Sequence, residues 1–109
     1  MANTVKRLSQ TALTATTTTT LYTVPASTST IIKEIVLCNT DTVARTVTIQ
    51  AGPTPATAVA TRLLNAVSVA PNETQIYTFS NVLLTTDLIT GGASAGAVVA
   101  CSISGTEVA

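Results

Sequence analysis

The chain is 109 residues long, enough for one domain, and only 9% of them are charged, five Lys and Arg against five Asp and Glu. A formal net charge of zero leaves no electrostatic footprint for nucleic acid or an anionic membrane. No apolar run approaches the ~18 residues that cross a bilayer. Thr supplies 24 residues, and with Val and Ile it makes the chain rich in β-branched side chains, which suit pleated surfaces. Residues for the charged face of an amphipathic helix are too few, so helical classes drop out.

Met1 to Gln10 carries Lys6 and Arg7 but lacks the apolar stretch of a secretory signal, so synthesis in the cytoplasm is expected. Ser9 to Thr20 is rich in Thr, with Thr16 to Thr20 a homopolymer. Thr favours strands and no Gly or Pro interrupts, so the segment reads as a strand or as an extended arm laid on a neighbour. Residues 1–20 are therefore read as an N-terminal arm or edge strand, and 21–109 as a β-sandwich domain. The arm has few large apolar anchors and should order only on a sheet edge or across a neighbouring subunit. Its candidate partner-binding residues are Lys6, Arg7, Leu8 and Leu13, and its removal should leave the sandwich folded.

Leu21 to Val24 reads as a strand stopped by Pro25. A second strand runs from Thr30 to Cys38 and ends at the turn-forming Asn39-Thr40-Asp41-Thr42. The third, Ala44 to Gln50, alternates Val47 and Ile49 with Thr46 and Thr48, and the two are expected to form a hairpin. Gly52-Pro53-Thr54-Pro55 is a loop. Ala58 to Val69 fits either a short helix or a strand. After the Pro71-Asn72 turn, Thr74 to Phe79 continues into Val82 to Leu84. Asp87 to Thr90 is a short strand stopped by a Gly91-Gly92 turn. The last strand, Ala97 to Ser104, sets Val99, Cys101 and Ile103 on one face. Seven to eight short strands at regular spacing predict an all-β fold, an antiparallel β-sandwich or jelly roll.

Chemistry is sparse. Histidine is absent, which removes the commonest general base and metal ligand. Two distant cysteines give no zinc spacing, and both are expected to be free thiols. Cys101 shares its phase with buried positions, while Cys38 is not placed by phase. Glu34, Asp41, Glu73, Asp87 and Glu107 are scattered singly, as solvated charges are. The Gly91 to Gly96 run lacks the Lys-Ser/Thr of a phosphate loop. Asn72-Glu73-Thr74 matches a glycosylation acceptor only by pattern. The expectation is a non-enzymatic module with no cofactor and no metal, binding neither nucleic acid nor membrane.

Four segments together carry a resemblance. They are Leu21-Tyr22-Thr23-Val24-Pro25-Ala26, Ile31 to Thr40 (IIKEIVLCNT), Val69 to Thr74 (VAPNET) and Ile103 to Val108 (ISGTEV). In this order they resemble small virion structural proteins of tailed bacteriophages, in which an "LYTVPA" strand precedes an "I-K-x-I-x-L-x-N-T" strand. The resemblance spans most of the chain from Leu21 onward. It implies a β-sandwich component of the virion, made in the host cytoplasm. The implied role is a capsid decoration or cement protein that stabilises the shell by bridging coat subunits. Its partners would be the major capsid protein or other virion proteins, with copies assembled as a homo-oligomer, a trimer in such proteins. The alternative is a neck-, tail- or fibre-associated module that binds another virion protein or a host receptor.

Overall fold

A computed structural model describes residues 3–53 and 59–109; the expected loop residues Thr54 and Pro55 lie outside them. Eight strands follow one another: β1 (Asn3–Ala12), β2 (Thr20–Thr23), β3 (Ser29–Asn39), β4 (Arg45–Gly52), β5 (Arg62–Val69), β6 (Thr74–Leu83), β7 (Leu88–Ala93) and β8 (Val99–Val108). One 3₁₀ turn, Val59–Thr61, precedes β5. The segment that fitted either helix or strand thus becomes a single turn followed by a strand.

The pairing has a simple rule. β1 pairs with β8, β2 with β7, β3 with β6 and β4 with β5, all antiparallel. The chain is one long hairpin whose tip is the β4–β5 connection. Rolling that hairpin adds the pairs β3–β8 and β4–β7. Two four-stranded sheets result, β1-β8-β3-β6 and β2-β7-β4-β5. This is the eight-stranded jelly roll, one of the two architectures expected.

Rolling makes every connection except β4–β5 cross from one sheet to the other. The expected hairpin of β3 with β4 is therefore corrected: β3 lies in the first sheet and β4 in the second. The turn residues between them do not reverse the chain within a sheet; they turn a corner between sheets. Asn39, fully buried, makes the corner. Its Nδ2 donates to the carbonyls of Val43 and Val69, each at 2.9 Å, and its Oδ1 accepts from the Asp41 N–H at 2.9 Å.

The core is the interior between the sheets. Ile32, Ile35, Leu37, Val99 and Ile103 fill it from one side, and Val47, Ile49, Val69 and Ile89 from the other, all fully buried. Val99, Cys101 and Ile103 do share the buried face of β8. On β3 the buried positions step by two except from Ile32 to Ile35, because a bulge there inserts Lys33 against β8.

Two further expectations change at the Thr-rich segment. Thr14 to Thr19 is a loop between β1 and β2, and its hydroxyls bond to its own backbone. Thr14 Oγ1 donates to the Thr16 carbonyl at 3.1 Å, Thr19 Oγ1 does the same at 3.1 Å, and the two hydroxyls meet at 2.7 Å. Such local bonds compete with strand pairing, which outweighs the strand propensity of Thr here. The loop lies along β7, where Gly91 N–H donates to the Thr19 carbonyl at 3.0 Å and Ala93 N–H to that of Thr14 at 2.8 Å. Gly91 and Gly92 consequently do not end a strand; they sit inside β7. A Cβ on Gly92 would press into the Thr16 and Thr14 carbonyls, so glycine serves close backbone approach here and not a turn.

Candidate interaction surface

The titratable groups are bound into the frame. At one end of the sandwich, Glu107 of β8 accepts a hydrogen bond from the Tyr22 hydroxyl of β2 and pairs with Lys6 of β1 at 3.2 Å. The Tyr22 hydroxyl also lies 2.9 Å from Thr30 Oγ1 on β3. The cluster links both sheets. The Tyr22 bond, with Lys6 behind it, lowers the Glu107 pKa. Burial, then the neighbouring Glu107, pushes Tyr22 up to about 12. Asp41 is lowered by Arg45, whose Nε and Nη2 reach it at 2.8 and 2.6 Å, and by the Thr42 N–H. Glu73 accepts from the Ala70 N–H at 2.9 Å and Asp87 from the Leu84 N–H at 2.9 Å, both closing turns. Four of the five carboxylates thus have structural partners.

Glu107 and Asp41 have folded-state pKa values below their ordinary values of 4.5 and 3.8. Their contribution is present above those values and is lost as the pH falls through the lower folded ones. Melting temperature should therefore drop on acidification through this range, and an E107Q/D41N double variant should show a shallower drop. Equal slopes for the two proteins would contradict this.

The outer face of the β1-β8-β3-β6 sheet is different in kind. Cross-strand register arranges it in four rows: Val5, Thr106, Ile31, Val82; Arg7, Ser104, Glu34, Thr78; Gln10, Ser102, Val36, Ile76; and Ala12, Ala100, Cys38, Thr74. These rows hold one cation and one anion among small and apolar side chains, and a second cation, Lys33, is exposed at the β3 bulge beside Glu34. Glu34 makes no hydrogen bond or ion pair among the described residues, and Arg7 bonds only to Gln10 of its own strand. Val5 is 88% exposed, and Ile76 and Val82 on the edge strand β6 are 62% and 60% exposed; Leu84, just beyond β6, is 62% exposed. A shallow groove of about 330 Å³ runs over Gln10, Val36, Cys38 and Ser102.

Both cysteines are free. Cys38 is half-buried on this outer face, while Cys101 points into the core at 1% exposure. Burial pushes the Cys101 thiol up to about 12. Only the thiolate is nucleophilic, so a thiol reagent at neutral pH should modify Cys38 in the native protein and reach Cys101 only after denaturation. Thiol counting with and without denaturant checks this; two reactive thiols in the native state would contradict the placement.

The four residues expected to meet a partner separate. Leu13 is fully buried and Leu8 is 8% exposed, both within the chain's own core. Their apolar surface is taken by the sandwich and is not available to a partner. Lys6 turns towards the end cluster at Glu107, and Arg7 alone points outward from the sheet, since successive side chains on a strand face opposite ways. Sequence reasoning did not single out Glu34, Ile76, Val82 or Leu84. The alternation of Ile76 with Tyr77 and Phe79 held the signal, but it does not say which set faces out.

Among the described residues, no group of three or more His, Cys, Asp or Glu is placed to hold a metal, and no helix is long and apolar enough to cross a membrane. The strand pairing defines the chain as a jelly-roll sandwich. No protein-family model matches the sequence, and no curated protein does. Among solved structures it is similar to a chain of the infectious bursal disease virus Gx strain structure, with 15% identity, TM-score 0.45, and coverage of 97% of this chain and 31% of that one. The Gt strain structure gives 14% identity and TM-score 0.46, covering 96% and 32%. The giant freshwater prawn Macrobrachium rosenbergii extra small virus (XSV) VLP gives 16% identity and TM-score 0.31, covering 98% and 80%. The chain spans about a third of the length of the two bursal disease virus chains. At these scores the likeness adds nothing to the pairing already described.

Proposed function

We propose that this protein is a structural component of a virus particle, a decoration or cement module that bridges coat subunits of a tailed-phage capsid. The observation that carries the reading is the free edge of β6. Ile76 and Val82 stand largely exposed on a strand that pairs on one side only, and Leu84 follows directly. An apolar free edge is a liability in a protein that stays alone in solution and suits one that spends its time against a partner. The motif order from Leu21 to Val108 supports the same reading. So does the way the carboxylates are used, four of them closing turns or tying strands.

The mechanism is mass action. A module that binds the assembled lattice and not dissociated subunits shifts the equilibrium toward the shell. Its partner is the major capsid protein or another virion protein, its place is the particle, and it is made in the host cytoplasm. The resemblance further implies several copies held together, as trimers. The test is quantitative mass spectrometry of purified particles, followed by rebinding of wild type and of an I76D/V82D variant. A copy number in proportion to the coat protein, with rebinding lost in the variant, is expected. A few copies per particle would place the chain at the neck, tail or a fibre and overturn the decoration role.

A further inference from the structure

We infer that two copies of this chain pair face to face through the outer surface of β1, β8 and β3, about a twofold axis running along β8. Charge complementarity sets this arrangement. Arg7 on β1 and Glu34 on β3 occupy one cross-strand row, one strand to either side of Ser104 on β8. A twofold axis along β8 exchanges the β1 and β3 columns. Each Arg7 then lies over the partner's Glu34, so one residue pair is used twice, as a closed symmetric interface requires. Shifting the axis by half a strand would set one charge over Ser104 and separate Arg7 from Glu34. Turning it across the strands would not bring Arg7 over Glu34.

The rest of the face is compatible. The β8 column on the axis holds Thr106, Ser104, Ser102 and Ala100, small enough for close approach of two sheets in aligned packing. Val5 meets Ile31 across the pair. β6 stays outside it, so the surface assigned above to the particle remains free. From a strand spacing of ~4.8 Å and a rise of ~3.3 Å per residue, the contact covers ~400 Å² of sheet per copy. Both copies together reach ~800 Å², below the ~1,000 Å² of a stable interface. The pair is therefore weak in dilute solution and forms when copies are concentrated or held side by side. A pair departs from the trimer that the resemblance implies.

Sedimentation velocity over a wide concentration range tests this with the full-length protein. The expected result is a reversible monomer–dimer equilibrium that weakens with added salt. E34R alone should weaken it by roughly tenfold, since two ion pairs become two repulsions, and R7E/E34R should restore it. A100R places like charges on the axis and should abolish it. All of these side chains are at least partly exposed, and circular dichroism verifies that each variant is folded. A second readout is independent of mass: thiol modification of Cys38, which lies over Ala12 of the partner, should slow as concentration rises. A trimer, a monomer at every concentration, or a double variant that fails to regain association would each overturn the inference.

Discussion

Deleting residues 1–13 is expected to unfold the protein, not to release a dispensable arm. β1 pairs with β8 from Asn3 to Ala12 across a bulge near Leu8. Leu13 extends the attachment: its N–H donates to the Val99 carbonyl at 2.8 Å, and its own carbonyl accepts from the Ala97 N–H at 2.9 Å. Leu8 and Leu13 both belong to the core. Losing a buried Leu side chain typically costs ~2–5 kcal/mol, and two are lost together with an edge strand. A domain of this size holds only ~5–15 kcal/mol in all. The deletion also exposes the edge of β8, inviting association through unpaired main-chain groups. Circular dichroism and thermal melting of the truncated chain provide the measurement. Leu13→Ala, the milder change, should lower the melting temperature by roughly 10 °C or more. A truncated chain with an unchanged cooperative melt would show β1 to be an accessory to the sandwich.

Composition showed few apolar anchors in the first twenty residues, and that is correct. What composition could not show is that Leu8 and Leu13 enter the core of the same chain, because that depends on β8, nearly a hundred residues away. Strand positions were legible where period two was unbroken, as at Thr46 to Ile49 and at Val99 to Ile103. They were harder to read where a bulge shifts the phase. Ile32 and Ile35 are both buried though three residues apart, and this shift is why Cys38 could not be assigned to a face. Pairing partners were the least legible feature. Asn39-Thr40-Asp41-Thr42 has the chemistry of a turn whether the chain reverses within a sheet or crosses to the other. Gly91-Gly92 likewise looks the same as a turn and as a place where another backbone comes near. The interaction surface has the same dependence, since Arg7 and Glu34 share a row only through the register of β1, β8 and β3.

Asn39→Ala should be among the most damaging single substitutions, at about 3 kcal/mol or more. The side chain is fully buried where the chain passes from the first sheet to the second. Its amide satisfies two carbonyls, of Val43 and Val69, and one N–H, of Asp41. Alanine removes all three partners and leaves those groups facing a small void. Each unsatisfied buried polar group costs ~1–3 kcal/mol, and water entering the corner can repair only part of that loss. The damage should reach beyond the corner, because the Val69 carbonyl lies at the end of β5 and the Asn39 N–H itself bonds to the Glu73 carbonyl before β6. Asn39→Asp separates hydrogen bonding from shape. An ionised carboxylate keeps the Asp41 N–H bond but sets negative charge against two carbonyl oxygens, so its folded-state pKa should rise. The sign is then opposite to that of Glu107: relative to wild type, N39D should be less destabilised below the ordinary carboxylate range than at neutral pH, where the charge must be buried. Urea denaturation of the wild type, N39A and N39D at acidic and neutral pH measures both effects. Alanine within about 1 kcal/mol of wild type, or an aspartate deficit relative to wild type that does not shrink on acidification, would mean that the corner is held by the strands around it and not by Asn39.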